Sequence, residues 1–162
     1  MFNFANKLTL KIMLQRIQTV YLILSTIALT LTIWMPFASF DKSGSISTFT
    51  IFGLSTTTED INSWFPYYVV IGLSVALSLF AITQFKNRKR QLNLGKINYL
   101  LLLATIVMLF LDTDNVAQKL FVEKIQYGFG MYLPVVALAF TFLANRSIKK
   151  DEDLVKSVER LR

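Results

Sequence analysis

Ile61 to Phe85 reads INSWFPYYVVIGLSVALSLFAITQF, 25 consecutive residues between Asp60 and Lys86 with no acid and no base. A helix rises about 1.5 Å per residue and the hydrocarbon core of a bilayer is about 30 Å thick, so about 20 uncharged residues suffice to cross it. The pattern recurs on both sides. Arg16 and Asp41 bracket 24 uncharged residues, and Lys124 and Arg146 bracket 21. Lys96 and Asp112 bracket only 15, but Leu92 and Leu94 extend that run and Lys96 can lift its ammonium to the headgroups. The spacing predicts one domain, 1–162, with spans over about 17–38, 64–85, 94–111 and 127–145, an arm at 1–16 and a tail at 146–162. The first run exceeds the roughly 7–15 residues of a signal-peptide core and reads as a retained helix.

Composition agrees. Hydrophobic residues make up 54% of the 162 and charged residues 17%, against about 25% in soluble domains. With no Cys and no His, disulfides, Cys/His zinc sites, thiol nucleophiles and imidazole-based triads are excluded. The net charge of +7 follows from where the bases lie. The arm, the 86–96 segment and the tail hold 14 of the 17 Lys and Arg residues, which predicts that both termini are cytoplasmic. Trp34, Trp64, Tyr67, Tyr68, Tyr127 and Tyr132 fall near the opposite interface, where amphipathic rings prefer to sit.

Two segments between the spans have other character. Phe37–Phe40, the turn Asp41-Lys42-Ser43-Gly44 and Ser45–Gly53 read as a hairpin, with Lys119–Ile125 a candidate third strand. In the tail, Leu154, Val155, Val158 and Leu161 form an apolar stripe behind Asp151, Glu152 and Asp153, acids suited to a helix N-terminus. The expected fold is an all-α membrane protein: a four-transmembrane-helix bundle with a small extracytoplasmic β-hairpin and a short cytoplasmic C-terminal amphipathic helix.

Chemistry is sparse. The basic loop with Lys86, Arg88, Lys89 and Arg90 lacks the aromatic interleaving of nucleic-acid binders, and reads as an anchor for anionic headgroups. Asp112-Thr113-Asp114 is the outer carboxylate pair most like a cation or acid/base site, with no further ligand run beside it. Apart from Lys96 at the edge of the third, the spans carry no ionisable Asp, Glu, Lys, Arg or His, which argues against proton-coupled transport. Their polar residues are mild, among them Gln18, Ser25, Ser74, Ser78, Asn98, Thr105 and Thr141.

Met13-Leu14-Gln15-Arg16-Ile17-Gln18-Thr19 near the start, Phe85-Lys86-Asn87-Arg88 in the middle, and Asp151-Glu152-Asp153-Leu154-Val155-Lys156-Ser157 followed by Arg160-Leu161-Arg162 at the end form a recognisable set. Through it, residues 13–162 resemble a Bacteroidota family of four-helix inner-membrane proteins of unknown function, whose members usually begin near Met13. Residues 1–12 depart from that pattern, which makes Met13 an alternative start. The resemblance implies a bacterial cytoplasmic membrane and supplies no mechanism.

No catalytic, cofactor-binding or metal residue is expected. The expected role is a non-enzymatic scaffold or accessory subunit of a membrane complex, contacting lipid or a membrane-protein partner through Lys86, Arg88, Lys89, Arg90, Leu154, Val155, Val158 and Leu161. The alternative is a small transporter or channel acting as an oligomer. Reporter fusions test the orientation: one in the Ser43 loop should respond as extracytoplasmic and one in the Lys89 loop as cytoplasmic. A cytoplasmic Ser43 loop would overturn it.

Overall fold

Long runs rich in Leu, Ile, Ala and Phe favour helices, and helices dominate the described chain. A computed structural model describes residues 2–42, 45–55, 65–85, 87–122 and 124–160, with side chains described over 17–41, 46–55, 65–85, 87–122 and 124–157. In chain order the elements are α1 (Phe2–Leu31), β1 (Ala38–Lys42), β2 (Ser45–Thr50), β3 (Gly53–Ser55), α2 (Tyr67–Thr83), α3 (Arg88–Leu120), β4 (Ile125–Tyr127) and α4 (Phe129–Arg160). The helices pack in a ring, α1 on α4, α4 on α3, α3 on α2 and α2 on α1. The sheet covers one end.

Each helix buries residues at alternating four- and three-residue intervals: Gln18, Leu22, Ser25, Leu29 and Thr32 on α1; Tyr67, Ile71, Ser74, Ser78 and Ala81 on α2. On α3 the series is Gln91, Gly95, Asn98, Leu102, Thr105 and Leu109, and on α4 Ala137, Thr141, Ala144, Ile148 and Asp151. This is the heptad spacing of helices that pack at shallow angles. Other faces are apolar and exposed, as at Ile23, Ile27, Leu73, Leu79, Leu100, Val107, Phe110 and Phe142. Only 28% of the apolar window in α3 and 33% of that in α4 is buried. A helix apolar on all sides yet this exposed fits membrane association rather than a soluble core.

Three expectations need correction. First, α3 and α4 alone are long and apolar enough to cross a membrane among the described residues; α2 has 17 residues, and the apolar part of α1 whose side chains are described is Ile17–Leu31. The run after Arg16 gives up its end to a turn at 32–34 and to β1, and α2 begins only after Pro66. Second, the tail is not a separate short amphipathic helix. α4 runs unbroken from Phe129 to Arg160, because no Gly or Pro follows Pro134 to stop it and Asp151 is a buried contact rather than a helix start. Third, the strand-bearing element is an open four-stranded sheet of order β3-β2-β1-β4, not a hairpin, so the fold is not all-α.

The sheet grows from the hairpin at both edges. Gly53, at φ 131°, adopts a backbone that side chains other than hydrogen resist, and it starts β3 against β2. On the other edge Ala38 pairs with Tyr127. α3 holds its helix through Leu120 and ends at Phe121 in the left-handed conformation, so the strand begins at Ile125 rather than Lys119. Phe37, Phe49, Phe65 and Tyr67 stack edge to face beneath the sheet, with ring centroids 5.0–6.1 Å apart.

The start of α4 is clamped to the segment that leads from α1 into β1. Gly128 donates to the Phe37 carbonyl at 2.8 Å and Gly130 to the Pro36 carbonyl at 3.0 Å. A methyl group on Gly130 would lie 2.5 Å from the Met35 carbonyl oxygen and 2.6 Å from that of Pro36. Gly130→Ala should therefore destabilise by about 1–3 kcal/mol through overpacking against backbone. Gly72→Ala meets nothing within 4 Å and should be neutral or gain up to about 1 kcal/mol of helix propensity. Thermal melts of the purified chain in detergent compare the two; equal losses would contradict the clamp.

Candidate functional site

Away from the sheet, a tight turn joins α2 to α3. Asn87 donates from its backbone to the Gln84 carbonyl at 2.9 Å, and its side-chain oxygen accepts from Arg90 N at 3.3 Å, capping α3. The cap fixes the first turn of α3 so that Arg88 turns inward. Its Nε lies 3.0 Å from Oδ2 of Asp151 on α4, with side-chain exposures of 20% and 3%. The contact is ionic rather than an aligned hydrogen bond. Two turns further in, Gly95 faces Asn145 so closely that a β-carbon would collide with the amide. Gln18 Nε2 of α1 donates to the Ser147 carbonyl at 3.2 Å. Three helices are thus tied together within two turns.

Deeper in the body, polar side chains continue the ties. Asn98 Nδ2 donates to Ser78 Oγ at 2.9 Å, joining α3 to α2. Ser25 Oγ lies 2.9 Å from Thr141 Oγ1, to which it donates because the Thr141 proton goes to the Ala137 carbonyl, and 3.1 Å from that same carbonyl, joining α1 to α4. Thr26, Thr30, Thr32, Thr105, Thr113 and Thr141 each donate to the carbonyl four residues back, satisfying their hydroxyls within the helix. Ser74 Oγ, Asn98 Oδ1 and Asn145 Oδ1 are buried without a hydrogen-bond partner.

The residues singled out in the sequence do not form one patch. Lys89 and Arg90 are exposed beside the inward Arg88, and Lys86 lies outside the described residues. On α4, Leu154 is exposed and Val155 half-buried, while the Val158 side chain and Leu161 lie outside the described residues. Asp151, read as a helix-starting acid, instead shares the buried face with Ala144 and Ile148. Continuing the 137, 141, 144, 148 spacing past Arg146 finds it. Opposite that face, Arg146, Lys149, Lys150, Asp153, Leu154 and Ser157 line an open concavity of about 460 Å³.

Half-buried Glu152 and exposed Lys156 form a pair at 2.9 Å. The Lys156 hydrogen bond holds the Glu152 carboxyl below its ordinary range, helped by the charges of Lys156, Lys89 and Lys96. That small stabilisation is present above the ordinary carboxylate range and is lost as pH falls through the lowered value. At the sheet end, the outer carboxylates are separated. Asp112 accepts from the Tyr67 hydroxyl at 2.6 Å, Thr113 is buried, and Asp114 is exposed. Among the described residues no three Asp or Glu side chains gather into a cation-sized cluster.

Residues 14–161 match the model of a domain of unknown function (DUF4293), and the chain belongs to that family. No curated protein matches it.

Removing one partner of the buried pair should cost more than removing both. Arg88→Gln leaves Asp151 uncompensated and should lose about 3–5 kcal/mol, whereas the Arg88→Gln/Asp151→Asn double variant should recover most of it. Lys89→Gln, exposed on the same turn, should change stability by less than about 0.5 kcal/mol. Melting of these variants together with Asp151→Asn, read as a double-mutant cycle, checks the coupling; additive losses would deny it.

Proposed function

We propose that this chain is a non-enzymatic, multi-pass protein of the bacterial cytoplasmic membrane that serves as a scaffold or accessory subunit of a membrane complex. In this reading the sheet faces outward, and both termini and the 86–96 segment face the cytoplasm, because 14 of the 17 bases lie in those segments. The observation that carries the role is how the polar groups of the apolar stretches are used. Threonine hydroxyls bond back into their own helices, and Ser25–Thr141, Asn98–Ser78 and Gln18–Ser147 join neighbouring helices. Such groups serve assembly of the helices. A carrier instead presents ionisable groups to a path, and residues 17–40 and 61–85 contain none.

The basic face supplies the contacts. Exposed Lys89 and Arg90, with Lys86 beside them in sequence, suit anionic headgroups or an acidic surface on a membrane-protein partner. Purification from the native host in mild detergent should recover a membrane protein in fixed stoichiometry with the chain. Lys89→Gln/Arg90→Gln should lower that recovery without lowering the chain's own yield. A chain that stays alone through crosslinking would overturn the scaffold role.

The three unpartnered acceptors Ser74 Oγ, Asn98 Oδ1 and Asn145 Oδ1 favour a second reading, a small transporter or channel acting as an oligomer. Solute or ion flux in reconstituted vesicles that falls with Asn98→Leu would establish it in place of the first; absence of flux from a folded, inserted chain removes it.

A further inference from the structure

The exposed face of α4 changes chemistry without changing direction. Val135, Val136, Ala139, Phe142 and Leu143 are exposed along it. At the same three- and four-residue spacing follow Arg146, Lys149 and Lys150, then Asp153, Leu154 and Ser157. These last six line the open concavity of about 460 Å³. The opposite side of the same turns carries Ala144, Ile148 and Asp151, all buried, so α4 cannot roll to hide the cations. Among the described residues Arg146, Lys149 and Lys150 make no ion pair, and residues 1–16, antiparallel neighbours through α1, contain no acid.

We propose that this concavity holds the headgroup of an anionic phospholipid of the phosphatidylglycerol type, an inference that rests on the membrane reading above. The phosphate sits among Arg146, Lys149 and Lys150, and an acyl chain lies along Phe142 and Leu143. Arg146 offers a planar fork to two phosphate oxygens, and the two lysines add point charges. The dimensions agree: Leu143 and Lys149 are about 9 Å apart along the axis, close to the roughly 5–8 Å headgroup layer on each side of the hydrocarbon.

The far wall selects the rest of the headgroup. Asp153 is an acceptor at the outer end of the concavity, and Ser157 Oγ gives its proton to the Leu154 carbonyl at 2.8 Å, leaving lone pairs to accept. Two acceptors beyond a cationic phosphate cradle fit a glycerol headgroup, which carries two hydroxyl donors and no further charge. A serine headgroup of the same net charge brings its carboxylate against Asp153.

The test uses the full-length chain in phosphatidylcholine vesicles, with spin-labelled phosphatidylglycerol, phosphatidylserine or phosphatidylcholine as the reporting lipid. The wild type should retain phosphatidylglycerol in preference to both others. Arg146→Gln/Lys149→Gln/Lys150→Gln should lower the phosphatidylglycerol-to-phosphatidylcholine ratio by about tenfold or more, while Lys119→Gln/Lys124→Gln at the sheet end leaves it in place. Asp153→Ala should erase the distinction between phosphatidylglycerol and phosphatidylserine. A triple variant that keeps the wild-type preference overturns the site, and complete displacement by millimolar inorganic phosphate reassigns it to a soluble anion. Insertion without any phosphatidylglycerol preference defeats this inference alone. Failure of the chain to float with vesicles defeats the membrane reading with it.

Discussion

The structure depends on close approach of helices along seams built from small and polar side chains. In a soluble helical protein the buried stripe is recognised because it is greasier than the rest. Here the outer faces are already apolar, so burying more leucine would gain little if lipid surrounds them. What distinguishes the inside is reach and directionality. Gly95 lets Asn145 approach α3, Ser25 and Thr141 share a hydrogen bond, and Asn98 meets Ser78. The alternating four-three spacing sets all these contacts in register.

That inversion explains what could be read from the chain and what could not. Charge-free runs mark the helical stretches, since any Asp or Lys there would stand out. The tail misleads because Leu154, Val155, Val158 and Leu161 form a stripe of their own behind three acids, a pattern shared by a free amphipathic helix. The decisive group was Asp151, whose place follows from the seam and whose ion pair among the described residues is with Arg88, sixty-three positions earlier. Sequence spacing along one helix cannot reveal a partner on another. The concavity on α4 was hidden for a related reason: Arg146, Lys149 and Lys150 read as a general basic tail until the opposite face is known to be buried.

The sheet shows the same limit. Its hairpin is legible in the β-branched residues around Asp41–Gly44, but β4 comes from between α3 and α4 and depends on where α3 stops. Phe121 ends that helix in a left-handed conformation usually left to Gly or Asn, so residue type gave no signal. Tyr67 then anchors the assembly from below, its ring within the aromatic cluster and its hydroxyl on Asp112.

The unbroken α4 has a mechanical consequence. It begins two residues after β4 and continues for 32 residues, about 48 Å, past the buried Asp151. Below Pro134 it has no internal joint. From Pro134 to the Arg88–Asp151 contact it is therefore a single strut, whose two ends cannot shift along its axis independently.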